Sequence, residues 1–109
     1  MAEVFEELAS LDRLIHEPAR LSIMTALSAV QSADFTFLQR LTGLSVGNLS
    51  NHLAKLEEAG MVQIAKGFVN KRPNTMLSIT SRGEQAIDAH WQRLETLRKD
   101  SQQWKQEKG

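Results

Sequence analysis

Residues 35–60 constrain this chain more than any other stretch, because two short helices and the tight turn between them are spelled out there almost residue by residue. Thr36 is a natural N-cap for the first helix. Gly43 is the residue expected just past its end, where the backbone turns left-handed. Ser45 can cap a second helix, over 45–58, which Gly60 can terminate in the same way. Within it Leu49, Leu53 and Leu56 recur at helical spacing and make one apolar stripe. The opposite face carries Gly47, Asn48, Asn51 and Lys55, which are small, hydrogen-bonding or cationic.

A helix with an apolar back and a small, polar front suits the major groove of duplex DNA, and the pair reads as a helix-turn-helix. Residues 61–68 and 75–80 then read as two strands, with Val62, Ile64, Leu77 and Ile79 pointing inward. Between them 69–74, Val-Asn-Lys-Arg-Pro-Asn, is a polar and basic loop restricted by Pro73. This order resembles the winged-helix transcriptional regulators of the MarR-like and ArsR-like kind, most of all short bacterial and archaeal members built from little more than the winged domain. The segments that carry the resemblance are 17–24, 44–53, 56–62, 66–75 and 79–83, so it covers residues 11–83. The fold expected is mainly α with a small β-hairpin (α+β), a winged helix-turn-helix over 17–83 with extended terminal helices. Metal sensors of the ArsR-like kind commonly place cysteines near the recognition helix, and this chain has no cysteine.

A chain of 109 residues allows one domain, 1–109, and one modest core. No apolar run approaches the ~20 residues needed to span a bilayer, and the acidic N-terminus lacks a signal-peptide pattern, so a cytoplasmic protein is expected. Net charge is zero, which by itself speaks against nucleic acid, but the distribution is uneven. Glu3, Glu6, Glu7, Asp12 and Glu17 crowd the N-terminus against Arg13 alone. Lys55, Lys66, Lys71, Arg72 and Arg82 occupy the 44–82 segment against Glu57 and Glu58. The positive excess sits on the half expected to bind DNA, and it is small enough that tight binding should need a dimer.

An amphipathic helix is expected over 4–15, with Val4, Leu8, Leu11 and Ile15 as its seam, broken at Pro18, which opens the next helix to about Val30. Residues 33–35 can add a short third strand beside the hairpin. Thr80 or Ser81 caps a final helix over 81–105, with Glu84 placed to complete a capping box with Ser81. Its stripe of Ile87, Trp91, Leu94, Leu97 and Trp104, with His90 and Ser101 inside it, exceeds what a small core requires. It can pack back on the chain's own N-terminal helix or pair with a second subunit. A homodimer is the preferred reading, with Leu8 and Leu11 drawn into the same interface, and the resemblance implies it too.

Ser45, Gly47, Asn48, Ser50, Asn51, His52 and Lys55 on the second helix are assigned to DNA, with Lys66, Lys71, Arg72 and Arg82 on and around the wing. The paired asparagines suit adenine edges, Ser45 a phosphate at a helix start, and the cations the backbone. His52 also lies beside the core stripe, where it can act as a buried hydrogen-bonder. Arg20 is read as an ion-pair partner of Glu57 or Glu58. His16, His52 and His90 fall on separate expected helices without the spacing of a metal site, and neither a phosphate loop nor a nucleophile elbow occurs, so no enzyme activity, metal or cofactor is expected. The rivals are a winged module that binds protein instead of DNA, and a switch with a small-molecule effector between the Trp91 helix and the core. No residue specifies such an effector, and no membrane partner is expected.

Overall fold

The computed structural model describes residues 3–108, with side chains to Trp104; Met1, Ala2 and Gly109 of the expected domain lie outside the described residues. In chain order the elements are α1 (Glu3–Ala9), α2 (Pro18–Val30), β1 (Ser32–Asp34), α3 (Phe35–Thr42), α4 (Val46–Glu58), β2 (Val62–Val69), β3 (Arg72–Ile79) and α5 (Ser81–Lys108). The expected mainly helical fold with a small antiparallel sheet is what the chain adopts.

The helix ends follow side-chain chemistry. Glu17 caps α2, its carboxylate accepting from the backbone N–H of Ala19 at 3.1 Å and of Arg20 at 2.9 Å, with Pro18 in the first turn where no donor is missed. Asp34, not Thr36, caps α3: its Oδ1 accepts from the N–H of Phe37 at 2.8 Å. The strand β1 delivers the chain in extended geometry up to Asp34, so the helix starts earlier than the threonine would allow. Gly43 ends α3 at φ 70°, and Ser45 caps α4 by accepting from Asn48 N–H at 3.2 Å, both as expected.

The N-terminal helix is shorter than its apolar spacing suggests, ending at Ala9 instead of residue 15. Ser10 Oγ donates to the Glu7 carbonyl at 3.2 Å, and Asp12 Oδ1 accepts from Leu14 N–H at 2.9 Å. Those short polar side chains offer the backbone a turn in place of another helical one. The seam therefore splits. Val4 and Leu11 bury against Leu97 and Leu94 of α5, Ile15 joins the main core, and Leu8 stays 38% exposed.

The main core lies where α2, α3, α4, the sheet and the start of α5 converge: Ile23, Met24, Leu27, Leu38, Leu49, Leu53, Leu56, Val62, Leu77 and Ile87 are all essentially inaccessible. At about 25 cal/mol per Å² of apolar surface, burying these side chains is the principal force holding the recognition elements together. The sheet order is β1-β3-β2, all antiparallel. The third strand was expected over 33–35 and forms at Ser32–Asp34, pairing Ala33 with Leu77.

At its start α5 passes so close to the 60–61 backbone that a Cβ on Gly83 would collide with the Met61 carbonyl oxygen. Thr80 holds this junction: its Oγ1 donates to the Gly60 carbonyl at 2.7 Å and accepts from Gly83 N–H at 2.9 Å. The capping box expected between Ser81 and Glu84 does not form, because Glu84 Oε1 instead accepts from Gln31 Nε2 at 2.7 Å.

Candidate nucleic-acid interface

Helix α4 presents its two faces as the leucine spacing dictates. Leu49, Leu53 and Leu56 are buried, while Gly47, Asn48, Ser50, Asn51 and Lys55 are exposed along the outer side. Among the described residues no intramolecular hydrogen bond occupies the side chains of Asn48 or Asn51, so both amides present donors and an acceptor to solvent. Ser45 stays exposed with its oxygen engaged in the cap.

His52 behaves differently from its neighbours. It is half-buried, and its Nδ1 lies 3.0 Å from Arg20 Nη1. A guanidinium can only donate, so in the neutral ring Nδ1 is the acceptor and the proton sits on Nε2. Arg20 also donates through Nε to the Leu14 carbonyl at 2.6 Å and through Nη2 to the Arg13 carbonyl at 3.1 Å. Its carboxylate neighbour is Glu17, with Nη1 and Oε2 3.8 Å apart, rather than Glu57 or Glu58 as the sequence suggested. Both of those acids are exposed, in the last turn of α4. Partial burial alone would raise the Glu17 pKa; the N–H donors of Arg20 and Ala19, with the charges of His52 and Arg20, outweigh it and hold the carboxyl below the usual range.

The wing is a longer hairpin with a shorter turn than expected. The strands run to Val69 and from Arg72, so the 69–74 loop shrinks to Asn70 and Lys71 alone. Both have positive φ, 52° and 67°, the geometry of a two-residue type I′ turn that matches strand twist. Pro73 pairs with Phe68 one step beyond the turn-flanking Val69 and Arg72 pair, where ladder N–H groups point away from the partner strand, and β1 ends short of it. No donor is lost there. Lys66, Lys71, Arg72 and Arg82 are all exposed, and among the described residues none of them pairs with a carboxylate. Arg82 lies over Gly60.

Alternation along β2 and β3 places Ile64, Leu77, Lys66 and Thr75 on one face, which with Ser50, Ala54 and Glu57 of α4 lines a cleft. Phe68 and Pro73 continue that face outward to the tip. Sequence reasoning missed them, although period-two alternation past Val62 and Ile64 carries Phe68 to the same side, beyond the reach of any core.

The residues expected at a dimer interface are divided. Ile87 belongs to the main core, and Leu11 and Leu97 bury within the chain with Leu94 against them. Trp104 stacks edge-on with Phe5, ring centroids 5.7 Å apart at 87°. Leu8, and Trp91 at 39% exposure, keep accessible surface; the indole N–H of Trp91 donates to Thr25 Oγ1 at 3.0 Å. Beside Trp91 a shallow apolar trough runs along α2, over Pro18, Leu21 and Ala26. Among the described residues no cluster of three or more potential ligands could hold a metal ion, and no helix is long and apolar enough to cross a membrane.

Comparison with known proteins agrees with this geometry. Residues 19–97 match the family described as Winged helix DNA-binding domain. An uncharacterized protein of Methanocaldococcus jannaschii is 32% identical over 75 residues, which is 69% of this chain and 82% of that one. A transcriptional regulator homologue from Pyrococcus horikoshii superposes with a TM-score of 0.80 at 28% identity, over 90% of this chain and 96% of its own. A MarR-family transcriptional regulator from Silicibacter pomeroyi shares the fold, with a TM-score of 0.64 at 19% identity, over 92% of this chain and 64% of its own. Both solved structures carry the description of transcriptional regulators. With the helix-turn-helix, the hairpin and the matched span all coinciding, the chain belongs to the winged helix DNA-binding domain family.

Proposed function

We propose that this protein is a homodimeric, sequence-specific regulator that binds duplex DNA, with α4 in the major groove and the wing on the flanking backbone or minor groove. The observation that carries this reading is a set of exposed side chains, Asn48 and Asn51 on α4 with Lys66, Lys71 and Arg72 on the wing, whose hydrogen-bonding and charged groups are not spent inside the chain. Asn48 and Asn51 read base edges, Gly47 lets the helix approach, and Ser45, Ser50, Lys55, Lys66, Lys71, Arg72 and Arg82 meet phosphates or groove walls. His52 serves mainly to brace α4 through Arg20.

Pairing of two chains is supported by the arm of α1 and α5. Phe5, Leu8 and Trp91 remain exposed there, and a seven-residue helix covers only part of a 28-residue one. Two-fold symmetry then implies a roughly palindromic operator with half-sites about one helical turn, or a multiple of it, apart. The apolar trough beside Trp91 adjoins this arm and fits a second subunit better than a small effector, since it is shallow and almost without polar groups to orient a ligand. A DNA-binding role also favours the cytoplasm over an exported location.

The test is titration of operator and scrambled duplexes at several salt concentrations. Asn51→Ala should cost about 1–3 kcal/mol on the operator and far less on scrambled DNA. Replacing Lys71 and Arg72 together by alanine should weaken both duplexes alike. It should also flatten the slope of log K against log salt by roughly 0.9 for each phosphate no longer neutralised. Unchanged binding in both variants would return the fold to its protein-binding rival.

A further inference from the structure

At 76% exposure Phe68 is the most exposed large apolar side chain among the described residues, and it stands near the tip of a projecting hairpin. Its cross-strand partner, Pro73, is exposed as well, so the two form a small apolar ridge. Exposed together at the end of a projecting hairpin, the phenyl and proline rings form an apolar spot that a partner can cover. The surroundings restrict what that can be. From residue 59 to residue 83 the chain has no Asp or Glu, and Lys66, Lys71 and Arg72 surround the ridge in sequence. Whatever covers it must be polyanionic and yet offer an apolar surface. Strand alternation adds direction, because Phe68 and Pro73 lie on the same face as Lys66 and Thr75, which line the cleft against α4. The ridge thus continues the surface that the helix presents.

We propose that Phe68, backed by Pro73, is an apolar wedge that enters the minor groove flanking the site of α4, packing on deoxyribose and base edges while the neighbouring cations meet phosphates. Apolar side chains that enter a minor groove act in this way, opening or bending it at flexible steps. An acidic protein surface or a second copy of this chain would satisfy the charge but not the alignment with α4. The wedge rests on the DNA-binding reading above and adds to it an interaction that releases no counterion.

The experiment uses the full chain and the duplex that the wild-type protein selects from a random pool, measured by fluorescence anisotropy across a range of salt. Phe68→Ala should bind about tenfold to a hundredfold more weakly, with the salt slope unchanged, because the substitution removes apolar packing and leaves every phosphate interaction in place. Phe68→Leu should fall between the two. Netropsin, bound beforehand in the minor groove of the flanks, should abolish the advantage of wild type over Phe68→Ala. The side chain is exposed, so thermal melting should be unaltered. Wild-type binding by Phe68→Ala overturns the wedge alone. A weaker variant with a flatter slope also overturns it, since Phe68 would then be acting through its cationic neighbours. A changed oligomeric state in light scattering assigns the ridge to a second copy and overturns it too. Failure of the wild-type protein to bind any duplex with salt dependence removes the wedge together with the reading beneath it.

Discussion

Arg20 ties three parts of the molecule together with one side chain that is only 11% exposed. Its fork reaches the carbonyls of Leu14 and Arg13 in the 10–17 turn and Nδ1 of His52 on α4. Lysine cannot reproduce that planar arrangement, so Arg20→Lys should behave nearly as badly as Arg20→Ala. A loss of about 2 kcal/mol is expected for either in urea denaturation, and near-neutral behaviour of the lysine variant would show that charge alone suffices. His90, buried on α5, makes a second residue-scale prediction. Burial and the charges of His16 and Arg93 push its pKa below the ordinary value of 6.5, against an opposing effect of Asp12. His16 Nδ1 and His90 Nε2 are 3.1 Å apart, so one must accept from the other and both cannot carry a proton there. With the folded pKa depressed, the unfolded chain binds more protons below about pH 6.5, and stability that is full above that value declines as pH falls through it. Thermal midpoints between about pH 7.5 and about pH 5.5 should drop for wild type and flatten for His90→Gln. Glu17 acts in a separate and lower window: its depressed pKa stabilises the fold above the usual carboxylate value of 4.5 and is lost below it.

Two elements store opposite kinds of constraint. The start of α5 has no room for a side chain at Gly83, where backbone opposes backbone at Met61, so Gly83→Ala should destabilise by about 3 kcal/mol and shift the helix that carries the arm. The wing tip has ample room but an awkward backbone. Lys71 holds φ 67°, a left-handed conformation that costs a non-glycine residue about 1–2 kcal/mol. Lys71→Gly should relieve that strain and raise the melting temperature while lowering affinity for both operator and scrambled DNA. Stability and binding moving together would mean that the lysine has no role at the DNA. Strain kept at a tip that carries a cation is consistent with selection for binding over rigidity.

At the scale of the molecule, a 64 × 24 × 20 Å shape and a radius of gyration of 17.0 Å stand well above the ~13 Å of a compact chain this long. The excess comes from α5, about 42 Å of helix of which only the first half meets the core. Its outer half gains the small Val4, Leu11 and Leu97 cluster and the Phe5 and Trp104 stack, while an exposed Arg93 to Glu7 pair at 3.6 Å near the middle contributes little. A second chain laid along this arm would cover what α1 leaves open. Leu8→Glu should therefore give a folded monomer by light scattering, with unchanged melting of the winged core and operator affinity much reduced. A variant that stays a dimer places the interface elsewhere.

Local chemistry made much of this protein legible in advance. Gly43, Ser45 and the leucines of α4 needed only their own neighbours to define a turn, a cap and a buried stripe, and so the two helices and the outward asparagines follow from spacing alone. The strands of the wing follow from alternation in the same way, apart from their ends. What sequence could not decide were choices between competing partners. Ser10 and Asp12 chose a turn over helix, Asp34 displaced Thr36 as a cap because β1 paired with β3, and Glu84 left Ser81 for Gln31, which is distant along the chain. Arg20 likewise found Glu17 and His52 instead of Glu57. Each of these side chains had more than one acceptable partner, and for Arg20 and Glu84 only the packing of α2 against α4 and α5 brought the chosen one within hydrogen-bond reach.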